Sequence, residues 1–83
     1  MNQKTPDVLA DMSAYAEERE LQTSIGRHDS GKWELKVRHH INDPPETFRF
    51  DGNGRWYYVI WGTEHRETQH QVRKKIETMT QGR

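Results

Sequence analysis

The 83-residue chain is long enough for one small domain, and 13 Lys/Arg against 13 Asp/Glu leave it formally neutral. It has no Cys, which excludes a disulfide framework, and its mean hydropathy of −1.24 leaves no apolar run near the roughly 18 residues of a membrane span. Leu, Ile, Val and Phe number only 13, but the chain's eight aromatic residues, those two Phe included, supply large buried area per side chain, so a folded domain with a thin core is expected. No secretory signal pattern is present, and a cytoplasmic location with no membrane partner is the expectation.

The first helix is signalled at Thr5-Pro6-Asp7, where a capping hydroxyl, a proline and a first-turn acid coincide. Val8, Leu9, Met12, Tyr15, Ala16 and Arg19 follow at helical spacing, predicting a helix over about 6–22 that stops before Gly26. RHDSGK reads as a turn. KWELKVRHHI then alternates, with Trp33, Leu35, Val37, His39 and Ile41 on one face of a strand over about 32–41. Pro44 and Pro45 break it before TFRF resumes as a strand over about 47–51.

The segment RFDGNGRWYY reads as a hairpin around Asn53-Gly54, leading into a third strand over about 55–61. An even-length loop there places Phe48, Phe50, Tyr57, Val59 and Trp61 in the core beside Trp33, Leu35 and Val37. A three-residue loop would invert that assignment. A last helix over about 63–79 is expected to start at Thr63 and to bury Val72, Ile76 and Met79. The expected fold is a single α+β domain over 1–83, ordered α-β-β-β-α around a three-stranded antiparallel sheet.

On the even-loop register Trp56, Tyr58 and Ile60 face away from the core, beside Lys36, Arg38 and Arg49. Two helices with narrow apolar stripes are too thin to cover both faces of the sheet. The uncovered one would carry Trp, Tyr and Arg, the residue types that dominate binding hot spots. The candidate binding residues are therefore Lys36, Arg38, Arg49, Trp56 and Tyr58.

Balanced charge puts a protein partner first, in the manner of an inhibitor or adaptor docking on a larger machine, plausible for a phage or mobile-element product. A nucleic acid stacked on the aromatics comes second. A symmetric homodimer would also hide the patch. The α-β-β-β-α order resembles double-stranded RNA-binding domains, and three strands followed by a helix resemble the arm-type DNA-binding domains of integrases. Both resemblances are architectural only. The basic cluster Arg73-Lys74-Lys75 falls late in the last helix, where the RNA-binding family carries lysines at its start.

Five His invite a metal reading, and His39-His40, Asn53, and His65 or His70 resemble in order the His-Asn-His nucleases. Yet Asn53 is accounted for by its turn, and His65 and His70 are five apart on a helix, not the four that chelation favours. His28-Asp29-Ser30 sits in a turn and cannot form a relay. No catalytic residue, metal or cofactor is expected, and the chain is read as a non-enzyme.

Overall fold

The computed structural model describes residues 5 to 81. Helix α1 (Asp7–Glu17) is followed by strands β1 (Gln22–Arg27), β2 (Trp33–Arg38), β3 (Glu46–Phe50), β4 (Trp56–Ile60) and β5 (Thr63–Glu67), then helix α2 (Gln69–Gln81). The strands form one antiparallel meander in the order β1-β2-β3-β4-β5. The α+β class holds, but the sheet has five strands where three were expected. β1 comes from the stretch between the end of the first expected helix and the following turn, and β5 from the start of the second expected helix; the resemblance to α-β-β-β-α domains goes with them.

At the first boundary, α1 ends early because Glu20 adopts a left-handed conformation (φ 66°) and the Leu21 N–H returns to the Ala16 carbonyl at 3.2 Å. That reversal buries Leu21 and releases Gln22–Arg27 to pair with β2. At the start of α1, Pro6 takes the capping position and Thr5 makes no side-chain cap; the Leu9 and Ala10 N–H groups bond the Pro6 carbonyl.

The second boundary is a tight turn. Trp61 (φ 51°) and Gly62 (φ 78°) join Ile60 to its partner Thr63 in a two-residue hairpin, so TEHRE runs back as β5. The cap of α2 then lies at Thr68, where the Gln71 N–H bonds Thr68 Oγ1 (3.1 Å) and the Thr68 N–H bonds Gln71 Oε1 (2.8 Å).

The β3–β4 loop has odd length. The Asp51 N–H bonds the Arg55 carbonyl (3.0 Å) around Gly52-Asn53-Gly54, with Gly54 at φ 85°. The Asp51 carboxylate accepts the Asn53 and Arg55 N–H groups at 2.9 and 3.0 Å. This closing pair sets Phe50 opposite Trp56 and Phe48 opposite Tyr58. The face assignment is thereby inverted: Trp56 and Tyr58 lie on the core side, Tyr57 and Val59 on the other, and Trp61 is in a turn.

Both helices cover the same face of the sheet. Leu9, Met12 and Ala16 of α1, Leu21, and Val72 and Ile76 of α2 pack with Leu35, Val37, Phe48, Phe50 and Trp56 in one cluster. Cross-strand aromatic pairs floor it, with ring centroids 4.9 Å apart for Phe50–Trp56 and 5.4 Å for Phe48–Tyr58. Tyr15 ties the helices together by donating to Glu77 (2.6 Å), with the Arg19 and Arg73 guanidinium groups each 4.4 Å from its ring centre.

Candidate functional site

With both helices on one side, the second face of the sheet is left uncovered. Strand alternation places Lys36 and Arg38 of β2, Arg49 of β3, Tyr57 and Val59 of β4, and Glu64 and Arg66 of β5 on it. Three of the five candidate residues, Lys36, Arg38 and Arg49, therefore share this face. Trp56 is 1% exposed beneath the helices, and Tyr58 is half-buried on the same side as Trp56. The expected grouping of these aromatics with the cations does not form, because the odd loop shifts β4 by one residue.

The cations on the outer face are unequal. The Arg49 side chain is only 13% exposed and is held between Glu34 (Nε to Oε2, 3.0 Å) and Glu64 (Nη1 to Oε2, 2.8 Å). Lys32 reaches the other Glu64 oxygen at 3.0 Å and lies 5.0 Å from the Tyr57 ring centre, with Arg66 at 6.0 Å. Hydrogen bonds from Arg49 and Lys32 hold the Glu64 carboxyl below its ordinary range, and the same pairing with Glu64, followed by Glu34, raises the Arg49 guanidinium. Arg49 is thus a fastener that ties β2, β3 and β5 across the sheet. Lys36 is much more exposed, 3.8 Å from Glu34.

Arg38 donates to the Ile41 carbonyl at 3.0 Å, bracing the β2–β3 loop at one end of the sheet. Turns alternate between ends in a meander, so this loop and the β4–β5 turn project from the same end. The large exposed apolar side chains at that end are Ile41 (70% exposed), Ile60 (41%) and Trp61 (98%). Trp61 holds a backbone conformation that bulky residues seldom adopt. A solvated indole on such a turn adds no core packing. The sequence signal for this site was Trp-Gly before Thr63, read instead as the end of a strand.

On the helix side, a groove of about 510 Å³ runs between α2 and the sheet. Tyr58 lies in it, donating to Glu46, and that bond pushes the phenol up to about 12. Lys75 sits 4.6 Å from the Tyr58 ring centre and 3.8 Å from Glu67, so the protein supplies its own cation there.

The His-Asn-His pattern is dispersed. Asn53 lies in the β3–β4 turn, at the opposite end of the sheet from His39 and His40, while His65 is on β5 and His70 on α2. Among the described residues, no three His, Asp or Glu side chains are grouped to hold a metal ion. No described helix is long and apolar enough to cross a membrane. No protein family, curated protein or solved structure matches this chain.

Proposed function

We propose that this chain is a non-enzymatic interaction module that grips a protein partner with the end of its sheet, as an inhibitor or adaptor would. The observation that carries the reading is Trp61, 98% exposed on a turn whose backbone disfavours a bulky residue. Ile41 and Ile60 extend its apolar surface, while Arg38 and Lys36 supply a polar rim on the adjoining face. A large exposed aromatic residue with charged side chains on the adjoining sheet face is consistent with the composition of protein–protein hot spots.

Nucleic acid is the second reading, favoured by Lys32, Lys36, Arg38, Arg49 and Arg66 against Glu34 and Glu64 on the outer face. It ranks lower for two reasons. Tyr57 is the one aromatic residue of the described strands on that face, leaving little for bases to stack on, and Arg49 is already engaged by two carboxylates.

The deciding experiment is capture from native lysate, with and without nuclease treatment, using wild-type, Trp61→Ala and Lys36→Glu/Arg38→Glu proteins. Trp61→Ala should weaken the captured partner by about 2 kcal/mol or more, roughly thirtyfold. Binding that is indifferent to Trp61→Ala but abolished by nuclease and by the charge reversals would replace this reading with the nucleic-acid one.

A further inference from the structure

The two edges of the sheet differ. β5 carries Glu64, Arg66 and Glu67 among its five residues, the charged pattern that discourages strand addition. β1 reads Gln-Thr-Ser-Ile-Gly-Arg, with neither a proline nor a charge before its last residue, and all but Thr23 are exposed. The orientation of its free groups follows from the adjoining turn. The His28 N–H bonds the Lys32 carbonyl at 2.8 Å, so pairing alternates back along the register and turns Gly26, Ser24 and Gln22 toward β2. The N–H and C=O groups of Thr23, Ile25 and Arg27 consequently point to the open edge.

We propose that β1 pairs antiparallel with β1 of a second copy about a two-fold axis at Ile25, giving a continuous ten-stranded sheet. Ile25 then faces its own copy, Thr23 faces Arg27 of the other chain, and both directions of each pair use the outward-facing backbone groups. The side chains are self-complementary in this register. Thr23 Oγ1 donates to Glu17 Oε2 at 3.1 Å, so the Glu17 carboxylate stands where Arg27 of the second copy arrives. Arg27 lies 4.5 Å from its own Trp33 ring centre, and neither it nor Glu17 forms an ion pair among the described residues.

Two-fold symmetry makes the Arg27–Glu17 contact twice, as an isologous interface requires. Ile25, 37% exposed, gains an apolar contact at the axis. There is also room for the second α1. At about 100° per residue, Ser13 and Glu17, which touch Thr23, lie on the flank of α1 that continues into exposed Ala10 and Ala14. The opposite flank is taken by Tyr15 against α2. The proposal is independent of the Trp61 anchor: the two-fold axis is perpendicular to the sheet and turns the two Trp61 ends in opposite directions.

Sedimentation equilibrium and light scattering over micromolar to millimolar concentrations test it. The wild-type chain should reach twice its 9.9 kDa mass. Ile25→Pro removes an N–H that faces the open edge, so it should give a monomer with an unchanged far-ultraviolet spectrum. Arg27→Glu and Glu17→Arg should each shift the equilibrium toward monomer by about tenfold or more, and the double reversal should restore the dimer. If Ile25→Pro fails to fold, the charge-reversal cycle decides alone. A wild-type chain that stays monomeric throughout, or a dimer indifferent to the two single reversals, would overturn the proposal.

Discussion

Replacing Trp61 by Asn should stabilise the protein. Trp61 and Gly62 are the two loop residues of a hairpin in which both φ values are positive, 51° and 78°. A bulky L-side chain such as Trp costs about 1–2 kcal/mol in the left-handed region, whereas Asn is tolerated there and Asn-Gly is the favoured pair for such a turn. The loss on the other side of the balance is small. Because Trp61 is 98% exposed, only a fiftieth of its surface is covered. For a side chain of roughly 200 Å² that is about 4 Å², or about 0.1 kcal/mol at ~25 cal/mol/Å². The net gain of about 1 kcal/mol should raise Tm by ~4–8 °C in a domain of this size. Urea unfolding should show a higher midpoint with an unchanged slope. A lower or unchanged Tm would mean that the indole packs against the folded protein, and the case for Trp61 as a partner's anchor would fall with it. The opposite sign for binding, weaker in the same variant that is more stable, is the signature of a residue kept at a cost to stability.

Trp56→Ala should cost about 3–5 kcal/mol, a large share of the roughly 4–12 kcal/mol available to 83 residues, and should flatten the near-ultraviolet spectrum. Trp56→Phe should be far milder, because Trp56 Nε1 is buried without a hydrogen-bond partner among the described residues and its removal offsets part of the lost ring contact; equal stability of wild type and Trp56→Ala would contradict its burial. The acid limb of stability should report Glu64, whose folded carboxyl lies below the ordinary value of 4.5. Its contribution is complete above about that pH and is lost as the pH falls through the lowered folded value, so Arg49→Met should make the decline below pH ~4.5 shallower. An acid limb of the same steepness in both proteins would remove Arg49 as the cause.

Much of the fold was legible. Val72, Ile76, Leu9, Met12 and Ala16 were visible as helical stripes, and Leu35, Val37, Phe48 and Phe50 as alternating strands, because each pattern repeats over several residues. The boundaries were less so. Thr63 reads as the cap of the last helix, but it is Thr68 that has a Gln three residues on, and that capping box is the one formed. The end of α1 could not be read from composition, since a Glu, and not the nearby Gly26, takes the left-handed position at residue 20. Its conformation is imposed by burying Leu21 and pairing β1, a long-range gain that local propensity does not contain.

The candidate site turned on a single parity. Asp51-Gly-Asn-Gly-Arg55 permits a two-residue loop at Asn53-Gly54 or a three-residue loop at Gly52–Gly54. The second is selected because the Asp51 carboxylate bonds the N–H groups of both Asn53 and Arg55 while Gly54 supplies the positive φ. The preceding hairpin uses the same device: the His28 N–H bonds the Lys32 carbonyl, and Gly31 stands at φ 94°. An Asp or His followed by a glycine three residues later marks both turns. The choice moves Trp56 and Tyr58 beneath the helices and Tyr57 onto the outer face. Trp61, at the next turn, joins neither face because the chain reverses at Trp61-Gly62. The aromatic run from Trp56 to Trp61 is therefore split, core at its start and a solvent-exposed indole at its end, and the boundary between them is the turn where Gly62 lets the chain reverse.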